Sequence, residues 1–400
     1  MNTFLFVLGL LVVVATGANI LSTLVLPRRP TGLARVSLSV YRAVRLVFVG
    51  LARLARSYEA KDAILAFAGP VALVAQLAVW AAAFVVGFGL MLIPTTRDLS
   101  DALLQALGSL LTVGAIHPGG AEKLPVDVAA GAIWVVVVAL QIAYLPALYA
   151  AFNQREGLVA MLESRAGVPA WGPELLARHQ LVGIIDTLPD LYSDWEEWAA
   201  DVAESHTTYP VLLLFRSPEP WFSWHLALLA VLDSAAMHLA LAPASASSNA
   251  RLCLRMGFTA LDRIGTMLGY RLDPDPLPDA PLELTYEEFE QAVRMLEDIG
   301  FPTERTAEEA WPDFHGWRVN YETVAYRLAD RLVVPPAPWS GPRRHVGPNI
   351  VEPRRPPHRR PASAAEASAP RPVAPRRKAP TRRRPPERPA ADPGPIPEGK

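Results

Sequence analysis

Three apolar stretches, 3–26, 63–93 and 126–152, constrain this chain more than any other feature. Each exceeds the roughly 20 residues that a helix needs to cross about 30 Å of hydrocarbon, and buried helices of soluble proteins are rarely that long without a charge. They predict an integral membrane protein with three spans packed into the first 152 residues and a large soluble remainder. The first four residues carry no charged side chain, so the opening stretch reads as an anchor rather than a secretory leader, although Ala15-Thr-Gly-Ala18 would suit a cleavage site.

Orientation follows from the connection between the first two stretches. Arg28, Arg29, Arg35, Arg42, Arg45, Arg53, Arg56 and Lys61 stand there against Glu59 and Asp62 alone, which by the positive-inside rule puts the connection in the cytoplasm. The N-terminus and residues 94–125 then face outward, and everything after 152 is cytoplasmic. This predicts a multi-pass protein of the plasma membrane. On a helical wheel Arg35, Arg42, Arg45, Arg53 and Arg56 share one arc, with Val40, Val44, Val47, Phe48 and Leu51 opposite. Such a helix lies along the bilayer surface with its arginines at anionic headgroups. The alternative is a soluble helix packed on the protein's own domain.

The net charge of −1 hides a partition. Residues 152–334 carry about −15 and residues 335–400 about +10, so an acidic domain is followed by a basic tail. The acidic block reads as helical. Thr285 with Glu288 and Thr306 with Glu309 fit capping boxes, and Gly300 sits where a helix from about Tyr286 should stop. Val211-Leu-Leu-Leu-Phe215 suits a short strand or the start of a buried helix. Residues 221–242 are long enough for a fourth span, but Asp233, His225 and His238 favour a core helix of the soluble domain. The tail holds about 19 prolines in 66 residues and cannot fold alone, leaving it to bind anionic lipid or a cytoplasmic partner. The resulting division is an anchor (1–26), a basic juxtamembrane helix (27–62), a span-loop-span unit (63–152), a helical acidic domain (153–334) and a disordered tail (335–400).

Between the second and third stretches runs Asp98-Leu-Ser-Asp101-Ala-Leu-Leu-Gln105-Ala-Leu-Gly-Ser109-Leu-Leu-Thr112-Val113-Gly114-Ala115-Ile116-His117. An amphipathic helix over about 99–111, too short to span, precedes Thr-Val-Gly on the outer side. Here the chain resembles the pore-loop potassium channels, over about residues 64–152. The resemblance implies a re-entrant pore helix and a filter in which backbone carbonyls of Thr112, Val113, Gly114 and Ala115 replace the hydration shell of a monovalent cation. It also implies that four chains assemble around the pore. Where the family continues with Tyr-Gly-Asp this chain has Ala115, Ile116 and His117, so the family's usual potassium selectivity is not implied. A weakly selective pore, a non-conducting relative and a membrane-anchored scaffold or sensor that recruits cytoplasmic partners stay open. The third stretch would line the cavity. Gln141 lies near its middle and Pro146 near its inner end, where a kink would act as a gate or a polar side chain would bond a neighbouring helix.

Asp190, Asp194, Glu197, Asp201 and Glu204 stack along one side of a helix, with Leu191, Trp195, Trp198 and Val202 on another. A solvated face explains the strip; the sharper alternative is a docking surface or divalent-cation sensor. No catalytic motif, cofactor fingerprint or His-x-x-x-His pair is present, and the single cysteine, Cys253, reads as a buried thiol. Trp311, Phe314, Trp317, Tyr321 and Tyr326 sit in an acidic block that would repel phosphate, so no specific nucleic-acid binding is expected.

Overall fold

The computed structural model describes residues 2–26, 35–111 and 122–341. Among them every regular element is helical. The apolar stretches become α1 (Asn2–Leu24), α4 (Ala68–Leu92) and α6 (Leu124–Ala166), with the short α3 (Tyr58–Ala66) leading into α4 and α2 (Arg35–Ala52) preceding it. Of these, α1, α4 and α6 are long and apolar enough to cross a membrane, and they make this a membrane protein. Only 17% of the most apolar stretch of α6 is buried, which leaves Val135, Val136 and Ile142 facing outward.

α1 and α4 run antiparallel. Gly9 meets Gly87 near one end of the pair, and Asn19 meets Trp80 further along. A Cβ on Gly9 would come within 2.5 Å of the Gly87 carbonyl oxygen, so only glycine permits this backbone approach. Small residues at such crossings let helices gain dispersion contact where lipid gives no hydrophobic drive. The buried Trp80 indole donates a 2.7 Å hydrogen bond to Asn19 Oδ1, which satisfies both groups away from water. α6 packs antiparallel to α4 through two apolar clusters: Val137 with Trp80 and Phe84, and Tyr144 and Leu148 with Ala72 and Leu73.

α6 does not end at residue 152. It runs for 43 residues to Ala166, because Gln154, Arg155 and Glu156 favour helix as readily as the apolar residues before them. The unit boundary drawn from hydropathy therefore falls inside a continuous rod. Beyond it, α7 (Gly172–Val182), α8 (Leu188–Thr208), α10 (Ser248–Met267), α11 (Tyr286–Asp298), α12 (Ala307–Arg318) and α13 (Glu322–Leu332) surround α9 (Trp224–Leu241). Every residue of α9 is buried. It is the core helix of the domain, and Asp233 within it is paired with Arg318 of α12.

Both capping boxes form, at Thr285 with Glu288 and at Thr306 with Glu309, and α11 stops at Asp298, just before Gly300 at φ +76°. Residues 210–214 form a 3-10 turn, not a strand: with Pro210 at its start and no partner strand among the described residues, the apolar run instead buries Val211 and Leu212. Residues 335–341, assigned to the tail from composition, pack on the domain. Val334, Ala337, Trp339 and Ser340 are buried, since prolines need no donor partner and Trp339 supplies apolar area against Trp171 and Phe314.

Candidate functional site

The amphipathic segment between α4 and α6 forms α5 (Leu99–Leu110), within a residue of its expected bounds. Asp98 caps it by accepting from the Asp101 N–H at 2.8 Å. Ala102, Ala106 and Leu110 are fully buried on one side, while Leu104 and Leu107 are exposed on the other. Leu103 lies over Gly89, one turn before α4 ends, and the Ser109 carbonyl oxygen lies 3.1 Å from where a Gly131 Cβ would stand. Gly131 is seven residues into α6, about 10 Å along its axis.

One carboxylate fixes this arrangement. Asp127, in the first turn of α6, accepts from Gln105 Nε2 at 2.9 Å and from Ser109 Oγ at 2.7 Å. Both donors lie in the second half of α5, so the bonds hold the end of that helix against α6. Asp127 was not among the residues singled out from sequence; a lone carboxylate at the start of an apolar span was the available signal. Thr112, Val113, Gly114 and Ala115 follow α5 directly and lie outside the described residues.

Gln141 is buried on α6, and its Oε1 accepts no hydrogen bond among the described residues. Gln76 on α4 is also buried, with neither amide atom partnered. Both amides fall between the two apolar clusters that join α4 to α6. Pro146 is exposed, and α6 continues through it.

The arginine belt departs from the helical wheel. α2 stops at Ala52, so Arg53 and Arg56 lie in the turn beyond it and do not share the arc of Arg42 and Arg45. Arg45 turns inward and donates from Nε and Nη2 to the Arg331 carbonyl at the end of α13, at 3.0 and 2.8 Å. A cation at those carbonyls also favours the helix dipole. Arg42 is exposed, and the side chain of Arg35 is not described. The outward side of α2 is apolar, with Leu46, Val47 and Leu51 exposed.

Asp190, Asp194, Glu197 and Glu204 are exposed along α8, Asp201 is half-buried, and Leu191, Trp195, Trp198 and Val202 face the core as expected. Asp201 accepts from Gln154 of α6 at the edge of a cavity of about 210 Å³ that Glu204 and Ser205 also line. No group of three or more His, Cys, Asp or Glu side chains among the described residues is placed to hold a metal ion.

Two buried arginines organise the domain, and neither was visible in sequence. Arg155 on α6 donates to Glu156 at 2.7 Å, to the Leu212 carbonyl at 3.1 Å and to the Phe215 carbonyl at 3.0 Å, and lies 3.1 Å from His206 Nε2. Burial first, and the neighbouring Arg155 second, hold the His206 imidazole well below its usual range. The neutral ring accepts from the guanidinium and pins α8 to α6. Arg318 joins Asp233, Glu322, the Tyr326 hydroxyl and the Trp339 carbonyl. Burial works against its charge, but Asp233, Tyr326 and Glu322 together push its pKa well above the ordinary value. Cys253 is fully buried, and desolvation raises its thiol.

No protein-family model, curated protein or solved structure matches this chain.

Proposed function

We propose that this chain contributes one pore loop to an oligomeric pathway for monovalent cations across the plasma membrane, with the α7–α13 domain on the cytoplasmic side as its regulator. The observation that carries the reading is the inclined packing of α5. Its beginning lies within a turn of the end of α4, and its end lies about 10 Å along α6. A connector lying flat on the surface would touch α6 at its first turn alone, whereas Ser109 reaches from Asp127 to Gly131.

An inclined short helix aims its negative C-terminal end inward, where carbonyls of Thr112, Val113, Gly114 and Ala115 would meet a dehydrated cation. Fourfold assembly supplies the ring, and the outward apolar faces of α5 and α6 leave surface for neighbouring copies. Ala115 and Ile116 stand where the potassium channels have tyrosine and glycine, so the pathway is weakly selective. Gln141 and Pro146 belong to the inner helix of this scheme.

The test is ion flux into liposomes holding the purified full-length chain, assayed for potassium, sodium and protons. Monovalent cation flux that scales with protein content supports the reading. No flux for any ion, with a monomer on sizing, leaves the membrane-anchored scaffold instead.

A further inference from the structure

The seam between α2 and the end of α13 holds a small crevice of about 50 Å³. Leu38, Tyr41, Leu65 and Ala68 give it apolar walls, and four arginines line it: Arg42, Arg45, Arg216 and Arg331. Two of the four are engaged inside the chain, Arg216 by Asp62 and Arg45 by the Arg331 carbonyl. Arg42 and Arg331 have no ion-pair partner among the described residues. They come from helices far apart in sequence and converge on one opening.

We propose that this crevice binds the phosphate of one anionic phospholipid, held between Arg42 and Arg331. Guanidinium groups match phosphate oxygens in geometry and charge, and two of them without carboxylate partners form an anion site. The source of the phosphate is set by what lies beside it. Leu46, one turn beyond Arg42 on the same side of α2, is 65% exposed, and Val47 is 60% exposed. These residues offer a bed for acyl chains that a free anion would not use. Because Arg42 sits on the membrane-surface helix and Arg331 on the domain, the bound lipid bridges the two. Membrane composition thereby sets how firmly the domain is held.

Native mass spectrometry of the full-length chain released from phosphatidylcholine nanodiscs, with and without phosphatidylglycerol, tests this directly. One phosphatidylglycerol per chain is expected to survive release, with phosphatidylcholine lost. R42Q and R331Q are each expected to weaken retention about fivefold, and the double variant about 25-fold, at the usual contribution of one arginine near a headgroup. R53Q/R56Q removes equal charge outside the crevice and is expected to leave retention unchanged. Equal retention of phosphatidylcholine would overturn the proposal, as would equal losses in the two double variants, which would signal diffuse attraction. Displacement by inorganic phosphate or glycerol phosphate would overturn the lipid assignment in favour of a soluble anion.

Discussion

Arg216, in the loop before α9, forms an ion pair with Asp62 of α3, and the two side chains are 13% and 8% exposed. The same guanidinium donates to the carbonyls of Leu332 at 2.7 Å and Val333 at 3.2 Å, and the Tyr58 hydroxyl donates to Val333 as well. The approach to the second apolar helix, the entry to the core helix and the end of the last helix thus meet at one arginine.

Removing one partner of a pair this buried leaves the other charge without compensation. Arg216→Met is expected to destabilise the fold by about 3 kcal/mol, while the double change with Asp62→Leu recovers most of that loss, because both desolvated charges are gone. Thermal unfolding of the detergent-solubilised chain checks the cycle. A double variant no more stable than Arg216→Met would show that the hydrogen bonds to Leu332 and Val333, rather than the charges, hold the seam.

Acid should weaken the domain through its histidines. Burial lowers His225 and His238 to about 4, and holds His206 well below its usual range. A depressed folded-state value means that the unfolded chain binds the proton first, so stability is complete above about pH 6.5 and falls as pH drops towards 4. The melting temperature is expected to decline across that window. His225→Leu, which removes a fully buried ionisable ring, is expected to flatten part of the decline; an unchanged slope would assign the acid sensitivity to other groups.

The contact of Gly9 with Gly87 predicts a steric effect in the membrane region. Gly9→Val would drive a side chain into the opposing backbone and is expected to cost about 2 kcal/mol, in the range for overpacking a close contact. Loss of crosslinking between cysteines placed on the facing sides of α1 and α4 would reveal the separation. Intact crosslinking with unchanged stability would show that the helices pass further apart.

Asp127 should matter to conduction if α5 positions a filter. Asp127→Ala strands the Gln105 amide at about 1–3 kcal/mol and leaves Ser109 only the Gln105 carbonyl of its own helix, so the tie to α6 is lost and flux is expected to fall strongly while the oligomer persists. Asp127→Asn keeps acceptor capacity and is expected to retain part of the flux. Equal flux in all three proteins would detach α5 from permeation.

Features set by nearby residues were readable in the sequence. The bounds of α5 follow from the Asp98 cap and its apolar spacing, and both capping boxes lie within four residues. The periodic pattern of the arginine belt runs past Ala52, but the helix does not; Ser57, the cap of α3, marks the break. Long-range partners left no local trace. Asp62 and Arg216 are 154 residues apart and Asp233 and Arg318 are 85 apart, so Asp233 registered only as a charge unsuited to a span. Asp127 lacked a visible role because its two partners look like ordinary polar residues on an amphipathic helix.

The pore proposal stands on the path taken after Leu111. Gly114→Cys in the otherwise native chain isolates that point, since Cys253 is the only other cysteine and is fully buried. A membrane-impermeant maleimide applied to sealed vesicles should label Gly114→Cys from the same side as Asp98→Cys, and more slowly. Labelling from the side that reaches Asp194→Cys, or protection from both sides equal to that of Val136→Cys, would contradict a loop that enters and leaves by the same face.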